Sequence, residues 1–218
     1  MKTAIVTGAS RGIGVGIVKS LISDGWKVIA IARNIEKIKE LNNENIEPYQ
    51  MDVTDLNAVN NFIKYISDKK IDLLVNNAGS NFEHANIKDS DPIKWKESYN
   101  LNVLAPMQLS KAVIPNMLNN NNGQIIIITS IVGHELYEGG GNYTTAKHAA
   151  VALIKQLQME LSGTPIRVTE IAPGMVNSNE NNRINRALEV EHIGEAVRWI
   201  ASLPSKVSVD SIILMPKN

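Results

Sequence analysis

A chain of 218 residues with 22 basic and 22 acidic side chains has room for one large core and gives no electrostatic reason to bind nucleic acid or an anionic membrane. It contains no cysteine, which excludes disulfides, thiolate catalysis and zinc–thiolate sites. Its four histidines, His84, His134, His148 and His192, show no ligand spacing, so no metal is expected. The longest purely aliphatic run, Ile125–Ile128, is far too short to cross a bilayer, and an early glycine turn at Gly8 leaves no room for a signal-peptide apolar region; the expectation is a soluble, cytoplasmic protein.

In chain order, a first strand over Thr3–Thr7 runs into Thr7-Gly8-Ala9-Ser10-Arg11-Gly12-Ile13-Gly14, and a helical pattern over 12–24 follows at once. Glycines suit a chain that must turn tightly, admit a pyrophosphate to the backbone and pack helix on sheet. The helix start then offers N–H groups and a positive dipole end to phosphates. Three glycines alone also fit a plain strand-to-helix turn; their place at the first such junction of an alternating chain favours the phosphate reading.

The second strand, Lys27–Ala32, ends Ile31-Ala32-Arg33-Asn34. In NAD-binding domains an acid about 20 residues past the glycine turn grips the ribose hydroxyls. Ala32 stands in that place and Arg33 follows. An arginine meets a 2′-phosphate through bidentate, charge-assisted bonds where a carboxylate would repel it, and Arg11 can approach from the other side. Each arginine alone reads as solvated surface; together with the missing acid they favour NADP(H) over NAD(H).

A helix over 35–43, a strand over Ile46–Asp52 and a helix over 55–68 capped by Asp55 come next, then a strand over Ile71–Asn76. A long helical pattern spans 92–119, with Pro92 suited to its first turn. The strand Gln124–Ser130, a helix over 142–162 capped by Asn142, and the strand Ile166–Ala172 follow. Asn177–Asn185 is asparagine-rich and reads as a mobile loop before a helix over 192–202 and a last strand, Ser211–Met215. Continuous Ile/Val/Leu runs alternating with helices are the pattern of a parallel sheet covered on both faces. The fold class expected is α/β, a Rossmann-type doubly wound sheet of seven parallel strands in a single domain over 1–218.

Tyr143-Thr144-Thr145-Ala146-Lys147 opens the helix over 142–162. Residues i and i+4 share a helical face, so phenol and ammonium can point into one crevice. A free tyrosine, with a pKa of about 10, exchanges protons poorly near neutrality, and a neighbouring ammonium lowers that value. The pair alone reads equally as an exposed helix face. Ser130, thirteen residues before Tyr143, ends a strand at the carboxyl edge where ligands of doubly wound sheets bind, and its hydroxyl can donate to a substrate oxygen.

The Gly-x3-Gly-x-Gly turn with its leading threonine, Asn76-Asn77-Ala78-Gly79, Asn102, Ser130, the Tyr-x3-Lys pair and Pro173-Gly174 stand in an order that resembles the short-chain dehydrogenase/reductase superfamily, from Met1 to about Val176. The resemblance implies that Gly8, Ser10, Arg11, Gly12, Ile13 and Gly14 cradle the nucleotide, and that Asp52 and Val53 lie at the adenine. A helix N-terminal acid near Thr54 and Asp55 is the competing reading of Asp52. It further implies that Asn77, Ala78 and Gly79 let the ribose lie against backbone. Pro173, Gly174 and Val176 then contact the nicotinamide end, Ser178 replaces a more usual threonine, and Lys147 also holds the nicotinamide ribose. Asn102 takes the place of an active-site asparagine that holds a water in a proton relay; it reads equally as an amide tying a helix kink.

The implied activity is NADP(H)-dependent interconversion of a ketone or aldehyde with an alcohol, Tyr143 serving as general acid or base and Ser130 holding the substrate oxygen. The C-terminus lacks the Asp-Gly-Gly ending of ketoacyl-carrier-protein reductases, which ranks 3-oxoacyl reduction second. A non-catalytic NADPH sensor ranks third, since Ser130, Tyr143 and Lys147 are all present. Asn177–Glu189 implies a short lid, and family analogy a homodimer or homotetramer through the helices at 92–119 and 142–162.

Overall fold

Runs such as Ile125–Ile128 bury side chains on alternate faces, so the strands that contain them need cover on both sides. The computed structural model describes residues 1–178 and 184–217. Its strands are β1 (Thr3–Thr7), β2 (Lys27–Ala32), β3 (Ile46–Gln50), β4 (Leu73–Asn76), β5 (Gly123–Ile128), β6 (Ile166–Pro173), β7 (Val176–Asn177), β8 (Leu188–Glu189) and β9 (Ser211–Leu214). Seven of them form one parallel sheet in the order β3-β2-β1-β4-β5-β6-β9, while β7 and β8 pair separately. The order reverses between β1 and β4, and doubly wound sheets open their ligand crevice at such a reversal, beyond the carboxyl ends of the strands.

Helices α1 (Ile13–Ser23) and α7 (Val190–Ser202) cover one face, where Ile126, Ile128 and Ile171 point. The other face is covered by α3 (Leu56–Tyr65), α5 (Ala105–Asn119) and α6 (Gly141–Glu160) and receives Ile125, Ile127 and Val168. Each such side chain contributes about 1.5–3 kcal/mol on burial, which fixes the strand register. Two further helices, α2 (Glu36–Lys39) and α4 (Pro92–Tyr99), are short.

The helical pattern over 92–119 divides: between α4 and α5 lies a π-helical turn, Asn100–Leu104. Two local causes are visible. The Asn102 amide donates to the carbonyl of Ser98 four residues back (3.0 Å), competing with the backbone for that acceptor. Pro106 has no N–H to give to the Asn102 carbonyl. Asp55 and Asp91 cap α3 and α4 as their side chains allow. Asn142 does not cap α6. That helix begins at Gly141 after Gly140, and Asn142, buried in its first turn, donates instead to the Glu83 carbonyl (2.9 Å), tying the loop before α4 to the helix.

β5 ends at Ile128, so Thr129 and Ser130 stand just beyond the ladder. α7 starts at Val190, earlier than its apolar period suggests, because Glu189 and His192 form a capping box. The asparagine-rich stretch is anchored at both flanks. Asn177 accepts from the Ile184 N–H (2.9 Å) and donates to Glu189 (3.0 Å), and β7 pairs with β8. The centre of the expected mobile loop, 179–183, lies outside the described residues.

Candidate active site

The crevice between β1 and β4 is built from backbone first. Gly8 sits at φ 66°, and a Cβ there would lie 3.0 Å from both the Ala78 Cα and the Asn77 amide nitrogen. At Gly14 a Cβ would stand 2.1 Å from the Gly8 carbonyl oxygen. Turn and helix therefore touch backbone to backbone. Thr7 locks the far wall: its hydroxyl accepts from the N–H groups of Asn77 and Ala78 (both 3.0 Å), while the Asn77 amide donates to the Thr7 carbonyl (2.8 Å). Asn76 braces the same strand end against α5 by donating to Ser110 (3.2 Å).

Gly12 precedes α1 at φ 54° and no side chain caps the helix, which leaves its first N–H groups for an incoming acceptor. Ser10 and Ile13 are half-buried beside it. Ser178 closes over this turn, its Cβ 3.1 Å from where a Gly12 Cβ would be. Pro173 and Gly174 end β6 and follow it, and Gly174 donates to the Leu214 carbonyl (2.7 Å), which aims the chain through Val176 toward Ser178.

Arg11 and Arg33 are both exposed, and neither guanidinium makes a hydrogen bond or ion pair with a described residue. Two unpaired cations beside an uncapped helix start fit a nucleotide with an extra phosphate. Val53 is buried. The Oδ1 of Asp52 accepts from the Thr54 N–H (2.9 Å) and hydroxyl (2.7 Å), so one oxygen of this carboxylate shapes the turn before α3.

At the other end of the crevice four polar side chains converge. Asn102 in the π turn donates to Ser80 and Ser98, and its Oδ1 is buried without a partner. Both that oxygen and the Lys147 ammonium approach Gly79, at 2.9 and 3.3 Å from the place of its missing Cβ. Lys147 is almost wholly buried, donates to the Ile128 carbonyl (3.2 Å) and lies 5.6 Å from the Tyr143 ring centroid. The Ser130 hydroxyl lies beside the Tyr143 phenol and donates to the Pro173 carbonyl (3.5 Å). It also receives the Val132 N–H (3.4 Å), which fixes its hydroxyl at the strand end.

Burial brings the Lys147 ammonium down to about 8, against the opposing pull of the Glu170 carboxylate. Burial also pushes the Tyr143 phenol up to about 12, and the nearby Ser130 hydroxyl works against that rise. The expectation that the ammonium lowers the phenol is thus corrected for this structure, where desolvation of the ring is the larger effect.

Sequence reasoning missed one wall. Asn81 donates to the Tyr137 hydroxyl (3.3 Å), and the His84 ring lies nearly parallel to Tyr137, with centroids 6.1 Å apart. Gly139, Gly140 and Gly141 leave room for His84, Tyr137 and Trp95 respectively; a Cβ at Gly140 would stand 2.3 Å from the Tyr137 ring. The signal available was the run of three glycines that ends two residues before Tyr143, since successive glycines next to a helix start invite rings onto bare backbone. Glu170 was missed as well, a lone acid inside an apolar strand. Among the described residues no group of acidic and histidine side chains could hold a metal, and no helix is long and apolar enough to cross a membrane.

A switch-point crevice with a glycine cradle at one end and a tyrosine–lysine–serine group at the other defines a dinucleotide-type α/β oxidoreductase. The chain belongs to the short chain dehydrogenase family, whose model matches residues 2–189. It is 32% identical to the NADP-dependent 3-hydroxy acid dehydrogenase YdfG of Escherichia coli, across 97% of this chain and 94% of that protein. It is 34% identical to an oxidoreductase of Mycobacterium tuberculosis, across 100% of this chain and 92% of the relative. Among solved structures, the closed form of a serine dehydrogenase complexed with NADP+ superposes with a TM-score of 0.92 at 31% identity, covering 98% of this chain and 94% of that one. An alcohol dehydrogenase from the archaeon Thermococcus sibiricus complexed with 5-hydroxy-NADP gives 0.90 at 29% identity, covering 99% and 97%.

Proposed function

We propose that this oxidoreductase uses NADP(H) to interconvert a ketone or aldehyde with an alcohol. The observation that carries the reading is the convergence of Ser130, Tyr143, Lys147 and Asn102 on one end of a crevice whose other end holds the glycine cradle and two unpaired arginines. The relatives reported above, a 3-hydroxy acid dehydrogenase, a serine dehydrogenase and an alcohol dehydrogenase, are all named for hydroxyl compounds, and both of the superposed structures hold an NADP form.

Gly8, Ser10, Gly12, Ile13 and Gly14 hold the pyrophosphate, Arg11 and Arg33 the 2′-phosphate, and Asp52 and Val53 flank the adenine. Asn77, Ala78 and Gly79 leave the ribose lying on backbone, and Pro173, Gly174, Val176 and Ser178 border the nicotinamide. When bound, the nucleotide supplies or accepts the hydride. Ser130 donates to the substrate oxygen and fixes its distance from the phenol. Tyr143 gives its proton to that oxygen in reduction and takes one from it in oxidation. Lys147 holds positive charge beside the ribose and the phenol, favouring the phenolate in the oxidative direction. Asn102 Oδ1 and the Lys147 ammonium, both facing Gly79, can share a water that returns the proton. The enclosed position of Lys147 limits water at this end and strengthens each of these electrostatic effects.

The chain works as one domain over 1–218, and its assembly into a homodimer or homotetramer belongs to the same proposal. Exposed Leu118 on α5 and Met159 on α6 support an apolar contact there, and light scattering reads the mass.

The deciding experiment follows NADPH consumption over a panel of ketones, aldehydes, 3-oxo acids and a 3-oxoacyl thioester. Turnover is expected with at least one simple carbonyl. Tyr143→Phe should lose at least about 100-fold in kcat, the low end for a general acid, while still binding NADPH. Tight NADPH binding with no turnover anywhere would overturn the enzymatic reading in favour of a sensor.

A further inference from the structure

Beneath the reacting end lies a carboxylate that the mechanism above does not use. Glu170 is buried in β6. Along that strand Ile166 and Val168 point to the face covered by α6 and Ile171 to the opposite one, so the alternation turns Glu170 toward the helix that carries Lys147. Its Oε1 accepts from the Thr129 hydroxyl at 2.6 Å and lies 2.8 Å from His134 Nε2, and its Oε2 accepts from the Ser211 hydroxyl at 2.9 Å.

The same strand end serves both groups. Ile128 gives its carbonyl to the Lys147 ammonium, the next residue gives its hydroxyl to Glu170, and the one after that is Ser130. His134 closes the short turn that follows, and a Cβ at Gly133 in that turn would lie 3.1 Å from the Lys147 carbonyl.

We propose that Glu170 is a positioning residue: a clamped, buried carboxylate that keeps Lys147 in its charged form and fixes the strand end presenting Ser130. The inference rests on the reading of Lys147 given under the proposed function. Burying an ammonium favours its neutral form, and a neutral amine holds neither a ribose hydroxyl nor a phenolate by charge. Burial already brings Lys147 down to about 8, and the field of Glu170 opposes that fall. The groups bonded to Glu170 are His134 from the turn, Thr129 just past β5, the Ser211 hydroxyl at the start of β9, and the Asp210 backbone carbonyl before it, which accepts the Glu170 N–H (3.0 Å); Lys147 on α6 feels the field of its carboxylate. Around Lys147 stand the Tyr143 ring and Asn102 Oδ1, and among the described residues Glu170 is the acid whose field acts on it.

The test titrates nucleotide-free protein carrying lysine labelled with 13C at Cε, with the Lys147 signal identified by its loss in Lys147→Arg. Glu170→Gln keeps the shape and removes the charge. Its Lys147 midpoint should fall by about one pH unit or more, and the alkaline limb of kcat for carbonyl reduction should move down with it. Glu170→Asp, which keeps the charge, should stay near the wild-type midpoint. A Lys147 midpoint unchanged in Glu170→Gln overturns the proposal, even if activity falls evenly at every pH. If Glu170→Gln does not fold, Glu170→Met, which removes the charge at similar length, takes its place. A lowered Lys147 midpoint in that variant then supports the proposal, and an unchanged one overturns it. Because the titration needs neither nucleotide nor substrate, it decides the role of Glu170 even if no carbonyl is turned over.

Discussion

Replacing Gly14 with alanine tests the glycine cradle at its tightest point. The added Cβ would stand 2.1 Å from the Gly8 carbonyl oxygen, 2.8 Å from its carbon and 2.9 Å from the Asn77 amide nitrogen. Side-chain Cβ atoms keep about 3.4 Å or more from such neighbours, so something must move by roughly 1 Å. Helix α1 cannot retreat. Its Gly16 lies against α7 so closely that a Cβ there would meet the Val190 carbonyl at 2.5 Å, and one at Gly194 would meet the Gly16 carbonyl at 2.4 Å. The displacement therefore falls on Gly8 and on the Asn77 network that anchors it. Overpacking of this kind costs about 1–3 kcal/mol of stability. Losing one charge-assisted bond to a phosphate costs about 1.5–3 kcal/mol, which is roughly 10- to 100-fold in Kd. NADPH fluorescence titration alongside thermal melts reads both quantities. Gly25→Ala is the control, since φ there is 76° with open space around it; it should lose about 1–2 kcal/mol of stability and leave NADPH affinity alone. If Gly14→Ala binds NADPH within about two-fold of wild type, the cradle is not where the pyrophosphate lies, and this reasoning fails.

Two other outcomes follow from the site. Arg33→Asp places a carboxylate where a 2′-phosphate is expected, and steady-state kinetics should show preference moving from NADPH toward NADH; an unaltered ratio of kcat/KM for the two would refute the assignment. The Lys147 ammonium, brought down to about 8, is lost as pH rises through that value, while the Tyr143 phenol, near 12, keeps its proton throughout. Reduction should therefore slow above about pH 8, and in Lys147→Arg, whose guanidinium keeps its charge, the residual rate should show no limb there. A limb persisting in that variant would assign it to another group.

Much of the fold was legible because its determinants are local. β1 and β2 fall at the residues expected, since a strand buried on both faces is written as an unbroken apolar run bounded by polar or glycine turns. The glycine turn was legible for a related reason: a positive φ and a close backbone approach each demand the absence of a side chain, whatever the rest of the molecule does. The spacing of Tyr143 and Lys147 is likewise a property of one helix.

What the sequence left open was decided by contacts between distant segments. Asn142 has the chemistry of a cap, yet the loop at Glu83 reached it first and drew its amide inside. The pattern over 92–119 is continuously helical in period; Asn102 bonding back to Ser98 and Pro106 make the π turn, but only the fold brings Ser80 and Gly79 to that asparagine. The effect of Lys147 on Tyr143 was inferred from their charges, but burial, a property of the whole fold, outweighs it. Glu170 is the sharpest case: in the chain it is one acid in an apolar strand, and its partners Thr129, His134 and Ser211 arrive from two neighbouring strands and a turn. Periodicity and backbone need are encoded residue by residue, so the chain alone specifies its strands, its glycine turn and the pair at 143 and 147. Desolvation and hydrogen-bond partnership exist only after strands and helices have packed, so the charge state of that pair, and the carboxylate beneath it, belong to the tertiary structure.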